Sequence, residues 1–209
     1  MRSADRIREL GEVFTPEQIV DSMLGLLQDV NYASKFLEPG CGNGNFLEKI
    51  LASKLEILGR LPEVKNSIKS GNLDEFEFKT IIAISSIYGI DIDSLNISEA
   101  KERLFELVKA WYEKASKQTP TGNFLRNVEF VLNRNIVLGD LIAAPEKIEI
   151  HQYSELPAQR IKRRVFLFTE LIFPEDEVFE DNNMLFGHVP TQLRDYPPVS
   201  YKELGEVHA

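Results

Sequence analysis

Cysteine is almost absent from this chain. Cys41 is the only one in 209 residues, so no internal disulfide can form, and a reducing, cytoplasmic setting is expected. Histidine is scarce too. His151, His188 and His208 are scattered with no metal-ligand spacing, so no metal site is expected. Long apolar runs are missing. The stretch from Thr80 to Ile90 is too short and too polar to span a bilayer, and no membrane partner is expected. Met1 to Asp5 has no apolar core behind it and does not read as a signal peptide. Positive charge is in deficit: 24 Lys and Arg face 33 Asp and Glu, a net charge of −9. That excludes coating of nucleic acid by bulk electrostatics, while a local basic groove stays open.

What is present is an ordinary globular composition, 43% hydrophobic and 27% charged, long enough for one α/β domain with a sizeable core. One domain is expected over residues 1–209. Its most informative stretch is Phe36-Leu37-Glu38-Pro39-Gly40-Cys41-Gly42-Asn43-Gly44-Asn45-Phe46. A short apolar strand meets an acid, then three glycines at alternate positions, then a helix. Glycines so spaced allow a sharp turn and close approach to a ligand. The helix that follows aims free N–H groups at the same place. This is how a doubly wound α/β domain opens a nucleotide pocket at the carboxyl end of its first strand.

Around that loop the pattern alternates. Thr15-Pro16-Glu17-Gln18 reads as a capped helix start, followed by an apolar stripe of Ile19, Met23, Leu26 and Leu27. Strands are expected at Lys35–Glu38, Ile87–Asp93 and Asn135–Asp140. Helices are expected near 47–57, within 62–72, at 74–86 and at 94–114, and a loop at 118–123. After Pro145 the pattern changes, and 147–153 and 163–168 read as the strands of a hairpin. From Pro174 onward, loops and short pieces are expected. The fold expected is α/β: a mostly parallel, doubly wound, Rossmann-like sheet with an added C-terminal β-hairpin.

Three strands end at residues suited to an adenosyl ligand. The turn Glu38-Pro39-Gly40-Cys41-Gly42-Asn43-Gly44, with Phe46 behind it, can hold its amino-acid part. Asp91 can accept both ribose hydroxyls, and Ile92 can lie against an adenine face. Asp140 can accept the exocyclic amine, with Leu141 packed on the ring. Thr15 and Pro16, at a helix start, can meet a carboxylate. Each acid, Asp93 included, can equally be a strand-end cap; the order and register of the set carry the argument. Arg160, Lys162, Arg163 and Arg164 are the one dense basic cluster. They can contact phosphates or guard a strand edge.

The segments Gly11-Glu12-Val13-Phe14-Thr15-Pro16, Phe36 to Gly44, Tyr88-Gly89-Ile90-Asp91-Ile92-Asp93 and Val137-Leu138-Gly139-Asp140 resemble S-adenosylmethionine-dependent DNA methyltransferases. The nearest type is the N6-adenine class of restriction–modification systems, in its small subunit M form. The resemblance covers about residues 8–142 and leaves 143–209 as an extension. It implies S-adenosylmethionine as cofactor. The Thr-Pro segment and Gly-rich loop would hold its methionine part, Asp91 its ribose and Asp140 its adenine amine. DNA is the implied substrate, read through a partner or specificity subunit, or as a homodimer.

Two departures stand beside it. Enzymes of that class carry Asn-Pro-Pro-Tyr, or Asp in place of Asn, at the end of a fourth strand, where it holds the flipped base. Nothing after Asp140 reads so; Asp195-Tyr196-Pro197-Pro198 has a different order and reads as a Pro-rich turn. No residue is therefore assigned to activating the acceptor, and a non-catalytic cofactor-binding module is the alternative. Spacing is the second departure. Asp91 lies 51 residues after Gly40, against about 20 in a minimal βαβ unit, which asks for an inserted helix pair.

Overall fold

The structure, a computed structural model, describes residues 30–172 and 190–207, with positions 20, 22, 23, 25 and 26. The expected helix start at Thr15-Pro16 lies outside the described residues. Val20 is buried, but Met23 and Leu26 are exposed, so the described part of the first helix does not bury the stripe expected of it.

Three parallel strands form the centre: β1 (Phe36–Pro39), β2 (Ile87–Asp91) and β3 (Ile136–Leu138), in that spatial order. The second and third end earlier than expected, because the acids beyond them fold into caps and turns. Helices α1 (Asn45–Arg60), α2 (Pro62–Ser70) and α3 (Asp74–Ser85) connect β1 to β2. Helices α2 and α3 account for the long Gly40–Asp91 spacing. Helices α4 (Ser94–Ser116) and α5 (Gly122–Asn135) connect β2 to β3.

All five residues of β2 are buried, as a parallel strand covered on both faces should be. The pleat sorts its side chains. Gly89 faces α1, where an added Cβ would sit 2.6 Å from Leu47 and 2.9 Å from Cys41 Sγ. Tyr88 and Ile90 face the opposite way. Tyr88 Oη donates to the His151 carbonyl at 2.9 Å, and Ile90 packs with Ile148 and Phe168.

Helix α3 is apolar nearly all round, with Phe76, Phe78, Ile81, Ile82, Ala83 and Ile84 buried, so it lies inside the helical layer. Phe76 stacks on Trp111 of α4 at 4.9 Å and meets Tyr112 edge-on at 5.0 Å. Each such side chain stabilises the fold by roughly 1.5–3 kcal/mol. Helix α5 was not anticipated from the sequence. It starts inside the expected 118–123 loop, with Thr121 accepting from the Phe124 N–H, and it buries Phe124, Val128 and Val131.

The second face of the parallel sheet is covered by β4 (Glu149–Leu156) and β5 (Arg160–Leu167), an antiparallel hairpin of eight paired residues per strand. Its turn places Ala158 and Gln159 at φ 59° and 53°. Both strands run longer than expected, up to this tight turn. The short strands β6 (Arg194–Asp195) and β7 (Val199–Ser200) pair with β5, so the hairpin belongs to its own four-stranded antiparallel sheet. Helix α6 (Phe168–Ile172) follows β5. After β7, a 3-10 turn (Tyr201–Glu203) and α7 (Leu204–Val207) dock on α5, where Asn127 Nδ2 donates to the Tyr201 carbonyl at 2.8 Å and its Oδ1 accepts from Gly205 N at 2.8 Å. The chain is thus α/β, with a three-stranded parallel sheet between helices and a hairpin layer. No helix among the described residues is long and apolar enough to cross a membrane.

Candidate functional site

The glycine loop sits at the carboxyl ends of β1 and β2. Gly40, Gly42 and Gly44 have φ of 82°, 54° and 81°, a left-handed series that side chains resist. Gly44 is doubly constrained, since a Cβ there would stand 2.9 Å from Ala100 Cβ on α4. The loop is stitched to β2. Gly40 N and Cys41 N donate to the Ile90 carbonyl at 2.7 and 2.9 Å, and Gly42 N donates to Asp91 Oδ2 at 2.8 Å. Gly44 then opens α1 without a side-chain cap.

Glu38 points from β1 into this loop. Burial, then the nearby Asp91, pushes its carboxyl up to about 7, and the Leu47 N–H that bonds it offsets this only in part. Its Oε2 is buried with no hydrogen-bond partner, and so is Asn43 Oδ1. Two buried acceptors without donors in one loop are costly unless something supplies the donors. An ammonium group, with three donors and no acceptor, has the required chemistry.

Asp91 is less free than the sequence suggested. Oδ2 is held by Gly42 N, and Oδ1 accepts from Asp93 N at 2.8 Å and Asn96 Nδ2 at 3.3 Å. A carboxylate offers about four acceptor positions, so one remains. Holding both ribose hydroxyls requires one internal donor to let go. The buried Asn96 was not foreseen, because an Asn in the first turn of a helix carries no distinctive signal. Asp93 is the N-cap of α4, accepting from Leu95 N at 2.8 Å.

Asp140 follows β3 and is exposed. Its Oδ1 accepts from Ile142 N and Ala143 N at 2.9 and 2.8 Å, which draws its pKa below the usual carboxylate value. Gly139 N bonds the Asp91 carbonyl at 2.9 Å, so the turn bearing Asp140 lies beside the end of β2. Ile92, Leu95 and Leu138 are each more than half exposed around these strand ends, an apolar rim of the kind that suits a flat ring. Leu141 instead packs towards Ile90, Ile148 and Phe168, and Phe46 packs against the main core. Glu38, Pro39, Gly40, Gly42, Asn43, Gly44, Asp91, Ile92 and Asp140 therefore converge at one edge, while Thr15 and Pro16 lie outside the described residues.

Cys41 is buried in the loop, and burial, Glu38 and Asp91 together push its thiol up to about 12, which leaves it inert as a nucleophile. The basic cluster is not one exposed patch. Arg163 is 1% exposed and stacks 3.7 Å over the Tyr196 ring, Lys162 pairs with Asp195, and Arg160 Nη2 donates to the Pro198 carbonyl at 3.2 Å. Strand alternation and the paired β6–β7 edge give Arg160, Lys162 and Arg163 separate roles. No cluster of metal-ligating residues occurs among the described residues.

The chain matches no family model, no curated protein and no solved structure.

Proposed function

We propose that this chain binds S-adenosylmethionine at the carboxyl edge of its parallel sheet and is a DNA methyltransferase of the amino-group class. The observation that carries the reading is the pair of buried, donor-less acceptors, Glu38 Oε2 and Asn43 Oδ1, in a left-handed glycine loop bonded to the acid at the end of β2. The cofactor offers complementary groups: an ammonium for Glu38 and Asn43, ribose hydroxyls for the remaining position on Asp91, and an adenine for the rim of Ile92, Leu95 and Leu138 with Asp140 at its margin. The bound cofactor supplies a methyl group on a sulfonium; the protein's residues bind and orient it. The doubly wound, Rossmann-like arrangement belongs to this reading, since the described parallel strands form only one side of such a sheet.

A second reading has its own support. After β3 the chain turns into a 3-10 turn and an antiparallel hairpin, not a further parallel strand, and no Asn-Pro-Pro-Tyr follows. This favours a cofactor-binding subunit whose acceptor site lies on another chain. Calorimetry with S-adenosylhomocysteine tests the shared claim. Micromolar binding is expected, about 8 kcal/mol. Absence of binding at millimolar ligand contradicts both readings. Methyl transfer to mixed DNA by the isolated chain would then favour the enzyme over the module.

A further inference from the structure

We propose that the outer edge of β1 is a docking site for an extended strand from a different polypeptide, which adds parallel to β1 and brings an acid and apolar side chains to the groove beneath it. The two sides of β1 differ. Phe36 N donates to the Ser86 carbonyl at 2.9 Å and Gly40 N to that of Ile90 at 2.7 Å, so the even-numbered residues turn their backbone groups to β2. Alternation turns the N–H and C=O of Leu37 outward, and among the described residues no strand meets them. Both crossovers build away from β1, so a strand buried by helices on one face ends in an open ladder on its flank. An edge strand presents unpaired N–H and C=O groups, and open edges recruit strands.

The groove sets the chemistry of the occupant. A cavity of about 280 Å³ runs along this edge between β1 and the hairpin layer. It is lined by Leu37, Tyr88, Ile150, Phe166, Phe168 and Leu171, with Lys35 also on its wall. Leu37 is 37% exposed at its mouth. Lys35 is exposed, and among the described residues no hydrogen bond or ion pair reaches its side chain. A parallel strand in register with Lys35, Leu37 and Pro39 would place an acid beside Lys35 and fill the cavity with the next two side chains on that face. A second copy of the chain fits poorly. Two β1 strands paired about a twofold would run antiparallel, set Lys35 near Pro39, which has no N–H, and bring no acid to Lys35.

Hydrogen exchange at the Leu37 amide tests this without cofactor, so its outcome is separate from that of the cofactor reading. The probe is acetyl-Glu-Thr-Val-Thr-Val-Thr-amide, whose Glu and two Val share one face. Titrated to millimolar concentration into the full chain, it should slow exchange at Leu37 at least tenfold. A peptide with Pro for the second Thr lacks the N–H that would reach the Leu37 carbonyl and should protect less. A peptide with Lys for Glu should also bind more weakly, and Lys35→Glu should reverse that preference. Leu37→Pro removes the outward donor, and a fluorescently labelled Glu peptide should lose its binding to that variant in polarisation titrations, with circular dichroism checking that the variant is folded. Failure of every peptide to protect Leu37, equal protection by the Pro peptide, or an unchanged preference in Lys35→Glu would overturn the proposal. So would protection of Leu37 that rises with protein concentration alone, which would show the chain pairing with itself.

Discussion

Binding of S-adenosylhomocysteine at pH 5.5 and at pH 7.0 turns the surroundings of Glu38 into a measurable quantity. Burial and Asp91 hold this carboxyl at about 7, against 4.5 for a free one. At pH 5.5 the unliganded protein therefore keeps Glu38 about 97% protonated, and at pH 7.0 about half. An ammonium bonded to Oε2 favours the ionised form, so binding must first release that proton. Linkage then makes binding roughly fifteenfold weaker at pH 5.5 than at pH 7.0, about 1.6 kcal/mol. If the bound carboxyl returns towards its ordinary value, about 0.9 proton leaves at pH 5.5. Calorimetry in two buffers of different ionisation enthalpy reads that proton directly, because the heats differ by the released fraction times the enthalpy difference. Glu38→Gln should flatten the pH profile and remove the buffer dependence, leaving Asn43 and the loop intact. Equal wild-type affinity at the two pH values with buffer-independent heats, or the same slope in Glu38→Gln, would refute the assignment.

Other consequences concern the unliganded fold. Lys54 is fully buried, its ammonium bonded to the Ser34 carbonyl beside the Phe36 ring, and burial draws its pKa down to about 7. The unfolded chain holds that proton up to about 10.4, so between the two values the unfolded state binds more protons and stability should rise with pH. Lys54→Met should be more stable than wild type at pH 7 by about 1–3 kcal/mol in urea titrations, with the gap closing above pH 10; a less stable variant at pH 7 would contradict this. Gly44→Ala should cost about 2–4 kcal/mol, combining a left-handed backbone with a clash at Ala100, and should weaken cofactor binding in calorimetry. Wild-type stability and affinity in that variant would show the loop geometry to be wrong.

The readable parts of this chain were those with local signals. Glycines at positions 40, 42 and 44 must be glycines because the backbone there is left-handed, so the loop could be read from letters alone. The strands were legible as apolar runs ending in acids, and the hairpin as alternation around Pro157. What escaped depended on tertiary partners. Helix α5 follows a loop-like Thr-Pro-Thr-Gly stretch, and Thr121 reads as a cap only once Phe124 is seen to bury. The role of Asp91 changed because Gly42 N, Asp93 N and Asn96 reach it from three directions, none visible from its neighbours in sequence. Arg163 looked like part of a surface patch, yet Tyr196 and His151, 33 and 12 residues away, enclose it. Leu141 likewise turned inward to cover Ile90.

A crystal structure of the chain grown with S-adenosylhomocysteine is the most direct test of convergence at the carboxyl edge. The ligand's ammonium is expected within hydrogen-bond distance of Glu38 Oε2 and Asn43 Oδ1, and its adenine against Ile92. A ligand bound elsewhere, or a glycine loop left empty with those two oxygens still lacking donors, would contradict it.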